Sequence, residues 1–335
     1  MAERRLRIGI MGTARIARTL FIPGVRASEL GEVRAVASRG AQRAQAMASE
    51  LEIPRAHASY EALLDDPEVD AVYIPLPNSL HPEWTIAAAR AGKHVLCEKP
   101  VASRAEDAQR MARACRGAGV ILMEAFMWRH HPQHARVREL LRSGAIGEPT
   151  FLRSTFSYVI NPSVESKRNV RLQSALEGGS LMDVGCYGVN VARWAFESEP
   201  VAVAAQQVID PEAGVDVAFL GALRFGERLL AAIDSSFMRS FTNTYSLEGF
   251  EGRLHVEKAF RPDADPGRIH IERPGADSKV EETPPSNQFA NEVDHFARSI
   301  AAGQLLPPAE DGVAQARVIE ALYASAASAQ AIALA

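Results

Sequence analysis

The chain is predicted to fold in the α/β class. A parallel sheet wrapped by helices comes first, and an α+β domain on a mainly antiparallel sheet follows. Three observations predict this. Residues 1–125 alternate short apolar runs with helical patterns, as parallel strands joined by crossover helices do. A glycine turn, Gly12, follows the first apolar run. Beyond residue 126 strand patterns succeed one another almost directly, which suits antiparallel neighbours.

The first half sets out its elements in order. Residues 6–11 and 33–38 read as the first two strands, and 71–76 as another after a helix that begins near Ser59. Pro82 suits the first turn of the next helix, which Gly92 ends. Residues 94–97 form a further strand. Ser103-Arg104-Ala105-Glu106 reads as a capping box that opens a helix stopping near Gly117. Residues 120–125 close the first domain.

The second domain, 126–335, starts with a helix over 132–143. Strands are expected over 150–160, 201–209, 215–225 and 229–237, with shorter ones over 253–257 and 268–272. One helix, 181–196, interrupts them, and two more, 287–301 and 312–335, end the chain, with the last helix expected to pack back on the first domain. The polar loop 161–177 is long enough to suggest a functional role.

Bulk properties exclude several classes. The 335 residues are 47% apolar, enough for a sizeable core. A net charge of −4 argues against a nucleic-acid partner, which calls for a basic excess. No apolar run reaches the ~18 residues of a membrane span. No apolar leader with a cleavage site precedes the first strand, so the expected location is the cytoplasm. Cys97, Cys115 and Cys186 are odd in number and widely spaced, and imply neither disulfides nor a zinc site. His130, His131 and His134 invite a metal reading, but no acidic partner follows at helical spacing. No metal is expected.

The run Gly12-Thr13-Ala14-Arg15-Ile16-Ala17 is a dinucleotide fingerprint with alanine in place of its second glycine. The first glycine permits a tight turn, and the helix N-terminus that follows offers N–H groups to phosphate. A plain strand-turn-helix would read similarly. Strand two ends in Ser38-Arg39, with no acidic residue until Glu50. A hydroxyl and a guanidinium suit the 2′-phosphate of NADP(H) better than the ribose hydroxyls of NAD(H). The alternative is a solvated surface arginine.

Lys99 follows the strand ending in Glu98, so it aims at the crevice beyond the strand ends, and Pro100 restricts it to extended backbone. Glu98 points to the opposite face. Asp183, Tyr187 and Asn190 fall at i, i+4 and i+7, on one helical face. Asp183 would also serve as part of a helix cap with Ser180, and Tyr187 as a core residue with its hydroxyl satisfied. Their joint chemistry is reduction or oxidation at a carbonyl or alcohol carbon. A free tyrosine titrates near ~10, and a neighbouring ammonium lowers that value. Tyr187, assisted by Lys99, then acts as general acid in reduction and general base in oxidation.

These residues resemble the Gfo/Idh/MocA oxidoreductase family over essentially the whole chain. The likeness rests on Val72-Tyr73-Ile74-Pro75-Leu76-Pro77-Asn78-Ser79-Leu80-His81, on Ala91-Gly92-Lys93-His94-Val95-Leu96-Cys97-Glu98-Lys99-Pro100, and on the stretch from Gly178 to Tyr187. The resemblance implies a Rossmann domain followed by an open-faced sheet, through which subunits pack into homodimers or homotetramers. It implies cofactor contacts from Leu76, Pro77, Asn78, His81, Glu98 and Lys99, a catalytic Lys99, and Asp183 in the substrate pocket. Tyrosine at 187, where many members carry histidine, is similar to the branch with glucose–fructose oxidoreductase, dimeric dihydrodiol dehydrogenase and NADP-dependent xylose dehydrogenase. In that branch aromatics corresponding to Trp128 and Phe156 wall the substrate. Asn169-Val170-Arg171 matches the family's Asn-x-Arg, which implies that Arg171 and its loop cover substrate. Ser180 stands where three consecutive glycines are usual.

The expected activity is NADP(H)-dependent oxidation or reduction of a sugar, polyol or cyclic diol. A ketoreductase for nucleotide-linked keto-sugars and a non-catalytic dinucleotide sensor are the alternatives.

Overall fold

The computed structural model describes residues 5–160, 169–263, 265–305 and 307–334. They form two compact units. The first takes the chain up to His130 together with Asn287–Val313, and the second takes His131–Ser286 and the chain from Ala314. The sequence suggests one division at 125/126, whereas the chain changes unit at 130/131, 286/287 and 313/314.

The first unit holds a parallel sheet of β1 (Leu6–Met11), β2 (Gly31–Ala37), β3 (Arg55–His57), β4 (Ala71–Ile74), β5 (His94–Glu98) and β6 (Leu122–Ala125). Their order is β3-β2-β1-β4-β5-β6, the doubly wound order whose switch point lies between β1 and β4. Strands buried on both faces must be apolar throughout, and β4 is buried at every residue. Helices Ala41–Glu50, Tyr60–Leu64, His81–Arg90 and Ala105–Gly117 connect them.

Ser59 caps its helix through the Ala62 N–H, 3.1 Å away. The expected capping box at Ser103 does not form. Arg104 is the cap residue, in extended conformation, and no side chain caps the helix. The helix therefore begins one position later than the box requires.

Helix Gln288–Ala302 also belongs to this unit. Its Asp294 accepts from the Ser28 hydroxyl at 2.5 Å and from the Leu30 N–H at 3.0 Å. A Cβ on Gly24 would stand 2.5 Å from Phe289 Cβ, so the helix before β2 lies almost against it.

The second unit holds a sheet of β7 (Pro149–Val159), β8 (Ala202–Ile209), β9 (Asp216–Phe225), β10 (Leu229–Ser236), β11 (Met238–Gly249), β12 (Gly252–Glu257), β13 (Gly267–Glu272), β14 (Lys279–Thr283) and β15 (Ile332–Ala333). The order is β14-β13-β12-β11-β7-β10-β9-β8-β15. Within it β7 and β10 run parallel, while the other neighbours are antiparallel. Helices Pro132–Arg142 and Cys186–Phe196 pack on one face. The other face is open: on β9, Phe219, Leu223 and Phe225 are buried while Leu220, Ala222 and Arg224 are exposed.

Four strands, β3, β11, β14 and β15, lie outside the sequence expectation, because they are short or lack a regular apolar alternation. β11 is made by its ladders to β7 and β12. The final helix is Glu310–Ser328, shorter than expected. Ala329 turns left-handed (φ 54°) and the chain returns as β15 against β8.

Candidate active site

In the first unit, Gly12 leaves β1 with φ +102°, a conformation that disfavours side chains, and a Cβ there would stand 3.0 Å from Leu76 Cδ2. The Gly12 N–H donates to Ala37 O at 2.8 Å, tying the turn to the end of β2. Thr13 and Ala14 complete the turn, and helical backbone begins at Arg15 and Ile16. The N-terminal N–H groups of this segment thus face the edge where the strands end. Dinucleotide folds hold phosphate at such a turn.

Ser38, buried, and the exposed Arg39 follow β2. Burial raises the pKa of the Tyr60 phenol, and the charges of Arg39 and Arg43 oppose that rise. Two guanidiniums therefore share this corner. No motif singles out Arg43, which lies one helical turn after Arg39.

Leu76 and Pro77 lie beyond β4, before the 3₁₀ turn Asn78–Leu80. His81 is fully buried. Its Nδ1 lies 3.0 Å from Pro100 O and its Nε2 2.9 Å from Leu76 O, so it joins the loops that follow β4 and β5. Burial pushes its pKa down.

Lys99 stands at the end of β5, and the Lys99–Pro100 peptide is cis. Glu98 turns inward, where its Oε1 accepts from the Tyr73 hydroxyl at 2.5 Å and its Oε2 from the Lys99 N–H at 3.2 Å. Glu124, on β6, accepts from the Val101 N–H at 2.8 Å. Side chains thus hold the backbone at Lys99, Pro100 and Val101 in succession. Trp128, in the turn Met127–His130, is fully buried in the same unit.

In the second unit the helix expected over 181–196 opens with a π turn, Leu181–Gly185, and continues as Cys186–Phe196. Its start is anchored by Asp216, which accepts from the Leu181 N–H (2.8 Å), the Ser180 hydroxyl (2.7 Å) and the Tyr323 hydroxyl (2.8 Å). Ser180, the departure from three glycines, thus has a bonding role, and it is not a side-chain cap. Burial raises the pKa of Asp216, and those three donors oppose the rise.

The expected row of Asp183, Tyr187 and Asn190 divides. Asp183 and Tyr187 both lie over the covered face of β7. Asp183 Oδ2 accepts from the Tyr158 hydroxyl at 2.5 Å and pairs with Arg171 Nε at 2.8 Å. The Tyr187 ring lies 5.3 Å from that of Phe156 and 5.1 Å from that of Phe260. Asn190 is fully buried and donates to Gln315 Oε1 at 3.3 Å.

Phe260 carries no sequence motif. Asn243 Oδ1 accepts from the Phe260 and Arg261 N–H groups, each at 3.0 Å, and so shapes the loop that brings the ring in. The polar loop lies outside the described residues over 161–168. Beyond it, Asn169 Oδ1 accepts from the Arg171 N–H at 3.1 Å.

The three histidines go to different places. The His130 ring lies tilted beside that of His295, with centroids 4.8 Å apart. His131 caps helix Pro132–Arg142 through the Gln133 N–H. His134 lies between the Tyr245 hydroxyl (2.9 Å) and Ala259 O (2.8 Å).

The second unit therefore presents a phenol in an aromatic wall and a doubly held carboxylate. The first presents a glycine turn before a helix N-terminus and a lysine on a fixed strand end. A dinucleotide fold with these residues defines a class of oxidoreductases. The chain matches two family descriptions: "Oxidoreductase family, NAD-binding Rossmann fold" over residues 6–126, and "GFO/IDH/MocA C-terminal domain" over residues 134–255. It belongs to the Gfo/Idh/MocA oxidoreductase family.

Among its relatives, a D-xylose 1-dehydrogenase (NADP(+)) 2 of Haloferax volcanii is 41% identical, over 97% of this chain and 99% of that one. A 3-ketoreductase from Actinomadura kijaniata, solved with NADP and TDP-benzene, superposes with a TM-score of 0.90 at 33% identity, over 96% of this chain and 98% of its own. An aldose-aldose oxidoreductase from Caulobacter crescentus, solved with glycerol, gives a TM-score of 0.90 at 30% identity, over 99% and 100% of the two chains.

Proposed function

We propose that this protein is an NADP(H)-dependent dehydrogenase of a free sugar or cyclic diol. The observation that carries the proposal is the covered face of β7 in the second unit, where Tyr187 lies among Phe156 and Phe260 and Asp183 is held by Tyr158. An apolar wall with few, fixed polar groups suits a small polyhydroxylated ring. The name of the Haloferax relative, an NADP(+)-dependent xylose dehydrogenase, supports the same substrate class.

The first unit's residues fit a dinucleotide. The turn at Gly12 is one a Cβ would crowd. Thr13, Ala14, Arg15 and Ile16 would hold the pyrophosphate, with Ser38 and Arg39 on the 2′-phosphate. Leu76, Pro77, Asn78, His81, Glu98 and Lys99 would border the remainder. Hydride exchange at the substrate carbon is what NADP(H) supplies when bound.

The chain's own groups handle the proton. Tyr187 gives its phenolic proton to the developing alkoxide in reduction and accepts the alcohol proton in oxidation. Lys99 is the second proposed catalytic residue. Asp183, Phe156 and Arg171 orient or enclose the substrate, whereas Asn190 is fully buried against Gln315 and Trp128 is fully buried in the first unit. The open sheet face, with exposed Leu220, Leu230 and Met238, suits packing of like subunits into a homodimer or homotetramer, which light scattering measures.

The test is reduction of NADP+ and NAD+ across aldoses, polyols and dihydrodiols. We expect turnover of a free sugar or diol with preference for NADP+. Cofactor binding with no turnover of any substrate would instead mark a sensor. The structural likeness to a 3-ketoreductase solved with TDP-benzene favours a second reading, reduction of a nucleotide-linked keto-sugar. Selective turnover of nucleotide-linked over free sugars would establish that reading.

A further inference from the structure

No motif marks Tyr158, yet its place in the fold links it to Asp183. It follows Phe156 by two positions on β7, so both side chains lie on the covered face. Its ring packs edge-on against Phe237, with centroids 5.4 Å apart. Its hydroxyl donates to Asp183 Oδ2 at 2.5 Å, and Arg171 Nε approaches the same oxygen at 2.8 Å. One carboxylate oxygen is thus held from two sides, by a phenol fixed on a strand and by a guanidinium in the turn Val170–Leu172.

We propose that Tyr158 is a positioning residue that sets substrate specificity through Asp183. Its hydrogen bond, with the Arg171 ion pair, holds Asp183 Oδ2 in place. Asp183 then meets the substrate as an oriented acceptor for a hydroxyl group. Hydrogen bonds to a charged group are the short, directional ones, and a fixed carboxylate discriminates among hydroxyl configurations where a rotating one would not. The Arg171 charge is matched by Asp183, so this pair recruits a neutral hydroxyl-bearing ring and not a phosphate. The proposal rests on the sugar or diol function given above.

The test uses the full-length protein with NADP+ and D-xylose, or the panel sugar that the wild type turns over best. Wild type, Y158F, D183N and the double variant are compared. Y158F is expected to raise KM for the sugar about tenfold, the worth of one hydrogen bond to a charged group, with a smaller fall in kcat. In the D183N background the same change should raise KM by less than about twofold, because coupled residues do not add. Should Y158F be destabilised, its KM is read well below its Tm, where the fold is intact, with the same expectation.

An equal rise in KM in both backgrounds would overturn the proposal. So would an unchanged KM accompanied only by a lower Tm, which marks a purely structural tyrosine. A wild type inactive on every sugar and diol overturns the proposed function and this inference with it. An active wild type whose KM ignores Tyr158 overturns this inference alone.

Discussion

Tyr187 is nearly buried, and its aromatic company would suit any core tyrosine. The two roles are separated by kinetics. Tyr187→Phe preserves the packing and removes the proton, so turnover should fall by about a hundred- to ten-thousand-fold while NADPH affinity, read by fluorescence, is kept. Turnover within a few-fold of wild type would leave Tyr187 as packing only. At this scale the sequence shows chemistry through residue type and spacing, which is why Lys99, Asp183 and Tyr187 stand out. Their supports do not. Tyr158, Glu124, Asn243, Phe260 and Gln315 reach their partners from remote chain positions, and no local periodicity encodes such pairings. Glu98 and His81 are visible as motif residues, but their inward hydrogen bonds appear only in three dimensions.

The elements were legible where periodicity or turn chemistry was pronounced, as in β1 or in the helix capped by Ser59. They were not legible where a ladder makes the strand, as in β11, or where one inserted residue widens a helical turn, as at Leu181–Gly185. That π turn depends on Gly179, which has φ +121° and whose Cβ would lie 2.1 Å from Asp216 Oδ1. Gly179→Ala combines a disfavoured backbone with a clash against the carboxylate that anchors the turn. It should cost about 2–4 kcal/mol of stability, read by urea denaturation. A cost under about 0.5 kcal/mol, typical of a neutral surface change, would show that the anchor tolerates displacement.

Acid stability belongs to the whole molecule, because every group that must change protonation on unfolding contributes. His134 is fully buried, and burial pushes its pKa from 6.5 down to about 3. Between those values the unfolded chain carries a proton that the folded protein does not. The stability His134 supplies is therefore complete above pH 6.5 and is lost as pH falls towards 3. His134→Gln should flatten the decline of Tm across this window relative to wild type, whatever its offset at neutral pH. An unchanged slope would mean that His134 is charged in the folded state. Both sheets were foreseeable from alternating and successive strand patterns. A return to the first unit was expected of the last helix, but helix Gln288–Ala302 makes it, through contacts at Ser28, Leu30 and Gly24 across most of the chain's length.

Because of that return, neither unit is a single stretch of polypeptide. A fragment ending at residue 286 lacks helix Gln288–Ala302 from the first unit and, from the second, both Gln315 and β15. Simple truncation therefore damages both halves at once. Separating them requires joining 130 directly to 287, with a new end at 313, and 286 directly to 314. Only such rearranged genes would allow cofactor binding to be measured apart from the substrate half.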